Sequence, residues 1–389
     1  MVFDFLRKRP MDMPEQKAST AIKLAVWNMA GRAAWSPRDT VSLTQNGFQG
    51  NPVGYRAVKL IAEAAAAVPI IAREGDTDTR LNTHPVLGLL ARPNQAQAQA
   101  DLMESIYANL LLSGNAYVEG VMADAGVPAE LHVLRSDRMA LVPGDDGWPM
   151  GFDYTVGAKK HRYPAEVICH IKAFHPQDDH YGLAPLQAAA TAIDVHNAAA
   201  RWSKALLDNA ARPSGAIVYR GVDGTGTMTQ DQFDRLQAEM EAHHQGARNA
   251  GRPMLLEGGL DWKPMGFSPS DMEFQKTKEA AARDIALAFG VPPMMLGIPG
   301  DATYANYAEA NRAFYRLTIL PLAQKVLAAV AHWLSGLTGE VISLHLDLDQ
   351  VPALAVEREA QWRRVANADF LTEGEKRHLL GLSERPDGM

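Results

Sequence analysis

LQAAATAIDVHNAAARWSKALLDNAA, residues Leu186 to Ala211, reads as one helix whose larger apolar groups are only Ile193, Val195, Trp202, Leu206 and Leu207. Alanine favours helix, but a helix faced with small residues gains little alone and has to pack closely against neighbours. A second helix is predicted from Ser270 and Glu273, which stand at capping-box spacing, to Phe289, where Gly290-Val291-Pro292-Pro293 stops it. Between the two lies a small module. It holds a strand at Ala216 to Tyr219, a helix from Gln230 to about His244 headed by Thr229 and Gln232 at the same spacing, and strands near Met254 to Leu256 and Leu260 to Met265. Two helices bracketing a small β-α-β-β insert place the chain in the α+β class.

Upstream, residues 1–50 are rich in Ser, Thr, Gly, Gln and Asn, which predicts an arm without a core of its own. Val53, Ala57, Leu60, Ile61, Ala64 and Val68 then recur at helical steps until Pro69. A further helix runs from Ala100, with Leu102, Ile106, Leu110 and Leu111 on one side, to Ser113-Gly114-Asn115. Short runs at Ala116 to Val121, Glu130 to Leu134, Met139 to Val142, Phe152 to Val156 and Glu166 to Ile171 predict an antiparallel sheet. Residues 51–183 therefore read as one α+β domain. Downstream, 294–303 form a turn-prone loop punctuated by Gly297, Pro299 and Gly300. A helical pattern from Tyr304 to Leu334 contains Pro321, which should kink or break it. The tail carries a strand from Ile342 to Leu348 with Asp347 and Asp349 facing solvent, a helix from about Val356 to Ala366, and a last helix opened by Thr372 with Glu375.

Composition narrows the function. With 389 residues, 47% of them hydrophobic, the chain has mass for two or three cores. Thirty-eight Lys and Arg against 45 Asp and Glu give a formal charge of −7, so a broad basic face that grips nucleic acid is not expected. The single cysteine, Cys169, forms no internal disulfide and points to a reducing cytosol. The first residues lack the apolar core and cleavage site of a signal peptide, and runs such as Ala64 to Ile71 are broken far short of a membrane span, so a soluble chain is expected. No G-x-x-x-x-G-K-[ST], G-x-S-x-G or H-E-x-x-H occurs, and Gly221 to Gly226 reads as a turn. Cys169, His170, His175, Asp178, Asp179 and His180 are the densest set of metal-type donors. Cys169 and His170 would point to opposite faces of a strand, so the set is read as a polar strand end and loop. Arg201, Lys204 and Arg212 on the first helix and Lys276, Lys278 and Arg283 on the second are interleaved with acids, a pattern suited to weak, sequence-blind contact with a polyanion.

Several motifs occur in one order: Asn51-Pro-Val-Gly-Tyr55, His84-Pro85, Leu89-Leu90-Ala-Arg-Pro93-Asn94, Leu112-Ser-Gly-Asn-Ala-Tyr117, Val167-Ile-Cys-His-Ile171, Tyr181-Gly-Leu-Ala-Pro-Leu186, Phe289-Gly-Val-Pro-Pro293 and Thr318-Ile-Leu-Pro321. With Leu371-Thr-Glu-Gly-Glu-Lys-Arg377 before Gly381-Leu382, this series resembles the portal proteins of long-tailed bacteriophages and of phage-derived gene transfer agents, from about residue 51 onward. The family usually has Asn where Gly374 stands.

The resemblance implies a portal-type fold assembled as a ring, usually of twelve subunits, at one capsid vertex. Double-stranded DNA would be packaged through it without sequence preference and later leave. Its segments would be an arm (1–50), a wing (51–185), a stem helix (186–213), a clip (214–267), a second stem helix (268–292), a tunnel loop with a long kinked wing helix (293–342) and a crown (343–389). The DNA-facing tunnel loop would be Ile298, Pro299, Gly300, Asp301, Ala302, Thr303 and Tyr304, with Ile298 and Pro299 packing its base. Arg201, Lys204, Arg212, Lys276, Lys278 and Arg283 would be candidate channel-lining charges. Gln230, Arg235, Arg248 and Arg252 would meet the terminase large subunit or the head–tail adaptor, and the major capsid protein would surround the ring. No catalytic residue, cofactor, metal or membrane is expected. The competing readings are a metal-dependent nuclease using His175, Asp178, Asp179 and His180, and a capsid-associated scaffold without a pore.

Overall fold

The computed structural model describes residues 35–74, 80–81, 83–122, 128–145, 147–208, 215–219, 229–244, 260–264, 274–300 and 304–382. Helix α1 (Pro52–Ala66) begins where the Asn51 side chain accepts hydrogen bonds from the Val53 and Gly54 amides at 3.0 and 2.9 Å. Its apolar positions fall every three or four residues, so Ala57, Val58, Ile61, Ala62 and Ala65 are buried together. Gly54 is required by a close approach, since a Cβ there would lie 2.1 Å from the Gly47 carbonyl oxygen. Gly47 belongs to the end of the supposed arm. Thr40–Thr44 is a helix capped by Asp39, followed by a π-helical turn at Gln45–Gln49, and Leu43 is buried in the main core. The arm is thus part of the core over its last residues, because the glycine lets the turn sit on Leu186 and Ile193.

Beyond Pro69 the chain enters strand β1 (Ile70–Glu74), a strand that the sequence pattern does not announce. β1 pairs with β2 (Arg80–Leu81) on one edge and antiparallel with β11 (Ile342–Leu346) on the other, Ile70 facing Leu346. Helix α2 (Gln99–Ser113) packs on α1 and ends at Gly114, whose φ of 76° needs glycine. The expected single sheet is two. β3 (Asn115–Met122) lies between β4 (Pro128–Leu134) and β8 (Ile168–Lys172), while β6 (Pro149–Val156) lies between β5 (Met139–Pro143) and β7 (Lys159–Pro164). Tyr117, Leu134, Met139, Phe152 and Ile168 form a small core of their own.

Helix α3 (Ala190–Asp208) follows a short helical turn at Pro185–Ala188, so the alanine-rich segment is interrupted at Ala189. It runs beside α4 (Phe274–Phe289), the Trp202 and Phe274 rings 5.3 Å apart, and α4 buries Ala281, Ala282, Ile285, Ala286 and Phe289. Of the bracketed module, β9 (Gly215–Tyr219) pairs antiparallel with β10 (Leu260–Pro264), and the helix Gln230–His244 stands between them in sequence. Thr229 and Gln232 cap that helix reciprocally. Met254 to Leu256, Ser270 and Glu273 lie outside the described residues.

Helix α5 (Tyr304–Phe314) passes through a π-helical turn at Tyr315–Ile319 into α6 (Leu320–Thr338). Pro321 therefore neither breaks nor ends the helix. It falls in the first turn after the π-turn, where the missing N–H is tolerated. The combined helix Asn306–Thr338 is long and apolar enough to cross a membrane by length and composition, a stretch the expectation of short apolar runs did not consider. Its Ala323, Val326, Leu327, Val330, Ala331 and Leu334 are buried in the main core. The core extends through β11 to Val351 and Leu354. Asp347 and Asp349 lie past the end of that strand: Asp347 is buried and accepts from Gln350, and Asp349 pairs with Arg358. Only Asp349 is exposed, so the two do not share one solvent-facing stripe. The helices Ala355–Ala366 and Glu373–Leu379 close the described chain, the second opened by the Thr372 and Glu375 capping box.

Candidate functional site

The end of α4 and the loop after it form a compact structure. Gly290, at φ 68°, places its carbonyl to accept a 2.7 Å hydrogen bond from the Thr318 hydroxyl of the π-turn. Pro293–Leu296 then make one 3₁₀ turn, ended by Gly297 at φ 73°. The Ile298 amide donates back to Pro293 O at 3.2 Å, and the Ile298 side chain is buried against Ala282 and Ala286 of α4. The Arg283 guanidinium donates to Pro299 O. Pro299 and Gly300 are exposed. Asp301, Ala302 and Thr303 lie outside the described residues, and Tyr304 opens α5.

Arg201, Lys204, Lys276 and Lys278 are exposed, and Arg212 lies outside the described residues. The helical repeat puts Lys276 and Arg283 on one face of α4 and Lys278 across from them. Lys278 lines a cleft of about 500 Å³ with Val53, His196, Phe274 and the Leu296–Pro299 turn. Gln230 and Arg235 are exposed on their helix, and Gln230 donates to Asp234 at 3.0 Å. Arg248 and Arg252 lie outside the described residues.

Two buried polar networks join the pieces, and sequence reasoning missed both. Asn51 Nδ2 lies 3.1 Å from His196 Nδ1 and donates to Asn197 Oδ1 at 2.9 Å, and Asn197 Nδ2 donates to Asn46 O. An amide donor at Nδ1 leaves the His196 proton on Nε2. Burial, then the Lys278 charge, lowers the pKa of that histidine. In the second network Asn115 Oδ1 accepts from the Gly182 amide at 2.9 Å and lies 3.1 Å from His170 Nε2. The Tyr181 hydroxyl accepts from Leu141 N. Motifs Asn51-Pro-Val-Gly54, Gly114-Asn115 and Tyr181-Gly182 are therefore joints: one fixes the start of α1 to α3, the others fix β3 to the strap leading into α3.

The histidine and aspartate cluster is spent on the same strap. Cys169 faces the main core, where burial pushes its thiol up to about 12, while His170 stacks on Tyr117 on the opposite face at 4.4 Å. Burial pulls His170 down to about 4. Asp178 accepts from the His180 and Tyr181 amides, which lowers its pKa, and His175 Nδ1 accepts from Gln177 N. Among the described residues no three His, Cys, Asp or Glu converge on a point that could hold a metal.

The family model for phage portal proteins matches residues 52–381. The chain belongs to the phage portal protein family. A solved chain from the neck of a native gene transfer agent particle, computed with C12 symmetry, is 65% identical, with a TM-score of 0.69 over 95% of this chain and 100% of that one. An uncharacterized protein of Rickettsia bellii (strain RML369-C) is 39% identical over 88% of this chain and 89% of its own length. The probable portal protein of Streptomyces phage phiC31 is 24% identical over 86% of this portal chain and 75% of its own.

Proposed function

We propose that twelve copies of this portal protein close a ring at one vertex of a phage-like or gene-transfer-agent particle, and that double-stranded DNA enters and leaves through its centre. The likeness to a chain from a neck with C12 symmetry carries this reading. In it α3 and α4 form the stem, β9 to β10 the clip, and the loop after Gly297 the constriction around DNA. The wing is 51–185 together with the long helix and β11, and the crown begins after Leu354, because the chain up to that residue is built into the main core. The clip surface around Gln230 and Arg235 would dock the terminase large subunit during filling and a head–tail adaptor afterwards, with the major capsid protein around the wing. The chain itself would carry no catalysis. A separate motor supplies the energy, and the portal's own contribution is to let any sequence pass. That calls for few phosphate contacts and no base-reading side chains, since tight counterion-release binding would hold the duplex in place. A net charge of −7 with cations dispersed among acids suits such a lining.

Electron microscopy of the purified protein, with its mass measured under native conditions, tests this. The expected result is a ring of twelve with an opening that admits a duplex. Persistence as a monomer when capsid protein is supplied would overturn it.

A further inference from the structure

We infer that Arg283 is a positioning residue that latches the loop to α4, rather than a charge that meets DNA. Its guanidinium donates to Pro299 O, so the group is directed along the helix surface to the loop. The same Nη2 lies over Gly300: a Cβ at that position would come within 2.8 Å of it, so the guanidinium would have to shift to admit a side chain there. One turn of helix away, Ile298 is seated on Ala282 and Ala286, and the Gly297 turn with the Ile298 to Pro293 hydrogen bond fixes the backbone between these anchors. The loop base is therefore tied to three positions within one turn of α4, at 282, 283 and 286. Ile298 supplies non-directional burial, which tolerates sliding along the alanine face. Arg283 supplies a directional bond to one carbonyl and so sets the height of the loop along the helix.

The functional consequence rests on the portal reading: the latch holds the constriction at one level of the channel. Its test does not. Hydrogen–deuterium exchange of the full-length protein follows the peptide spanning 297–300 in Arg283→Ala, Arg283→Lys, Gly300→Ala and the Arg283→Ala, Gly300→Ala double variant. Loss of a charged hydrogen bond should raise exchange on the order of tenfold in Arg283→Ala, and Arg283→Lys should recover part of it. Gly300→Ala should displace the guanidinium and raise exchange by less than Arg283→Ala does, and it should add little to Arg283→Ala, because the methyl group then meets no guanidinium. Unchanged exchange in Arg283→Ala, or fully additive effects of the two positions, would overturn the latch. Ring formation by microscopy separately decides the portal reading. Where rings form, Arg283→Ala should alter the length of DNA packaged while leaving the subunit number unchanged, whereas Lys276→Ala should leave loop exchange as it is. A rise in loop exchange with Lys276→Ala equal to that with Arg283→Ala would also overturn the assignment.

Discussion

His170 shows how a residue that looks like a ligand serves as structure. Its ring stacks on Tyr117, meets Phe152 edge-on and lies within hydrogen-bonding distance of Asn115, and burial, with the Lys172 and His180 charges, keeps it neutral with a pKa of about 4 against an ordinary 6.5. The unfolded chain takes up a proton at this residue as pH falls below 6.5, and the folded chain does not until about 4. Stability should therefore drop across that window, by at most about 3 kcal/mol and less in so far as the half-buried ring keeps some water. His196, lowered by burial and Lys278, acts in the same direction. Carboxylates with lowered values, such as Asp178, lose their contribution only below the ordinary aspartate range. Urea unfolding at pH 7, 6, 5 and 4 should show the loss, with a flatter profile in His170→Gln. An equal slope in the variant would mean that the titration lies elsewhere. Sequence reading placed His170 opposite Cys169 correctly from strand alternation. Its partners were not legible, because Asn115 and Gly182 are far apart in the chain and nothing in either motif names the other.

Among elements, legibility followed the periodicity of the apolar residues. α1, α2 and the helix Gln230–His244 announce themselves by spacing or caps. β7 does not, since Lys159-Lys160-His161-Arg162 offers no apolar alternation and is held by its β6 neighbour and by ion pairs of Lys160 and Arg162 to the buried Asp153. β1 hides within an apolar run that continues the α1 pattern. β11 shows its alternation, with Ile342, Leu344 and Leu346 buried, yet nothing in it tells that the partner is β1. Its burial has a measurable cost. Leu344→Ala, at a position 3% exposed, should destabilise by about 2–5 kcal/mol in chemical denaturation. Phe370→Ala, at 87% exposed, should change isolated-subunit stability by no more than about 0.5 kcal/mol. Equal losses at the two sites would refute the placement of β11 in the core.

For the molecule as a whole, composition said more about what is absent than about shape: a charge of −7 and no phosphate cradle set the limits of any DNA contact. The portal should bind duplex DNA only in the non-specific range, about 10⁻⁴–10⁻⁶ M at physiological salt, with affinity falling as salt rises from 50 to 200 mM. Fluorescence anisotropy with two unrelated duplexes measures this, and nanomolar binding of one sequence over the other would contradict a passive channel. The family relationship was legible because its motifs are the joints themselves. Asn51, Gly54, Gly114, Asn115 and Gly182 are fixed by contacts that other side chains could not make. The loop assignment was less legible, for a physical reason. Arginine reads as a free charge in a sequence, and only the fold shows that the carbonyl of Pro299 occupies it.

The pairing of Ile70 with Leu346 also bears on timing. Some 275 residues separate the two strands, and a ribosome adding about 5–20 residues per second makes them tens of seconds apart. During that interval one edge of β1 lacks its partner, and the apolar stripe of α6, itself a late product, is not yet there to cover the core. Contacts this distant in sequence are slow to form. A growing chain therefore has no finished β1–β11 sheet until its last fifth is made, and any assembly that needs this sheet has to wait for the end of synthesis.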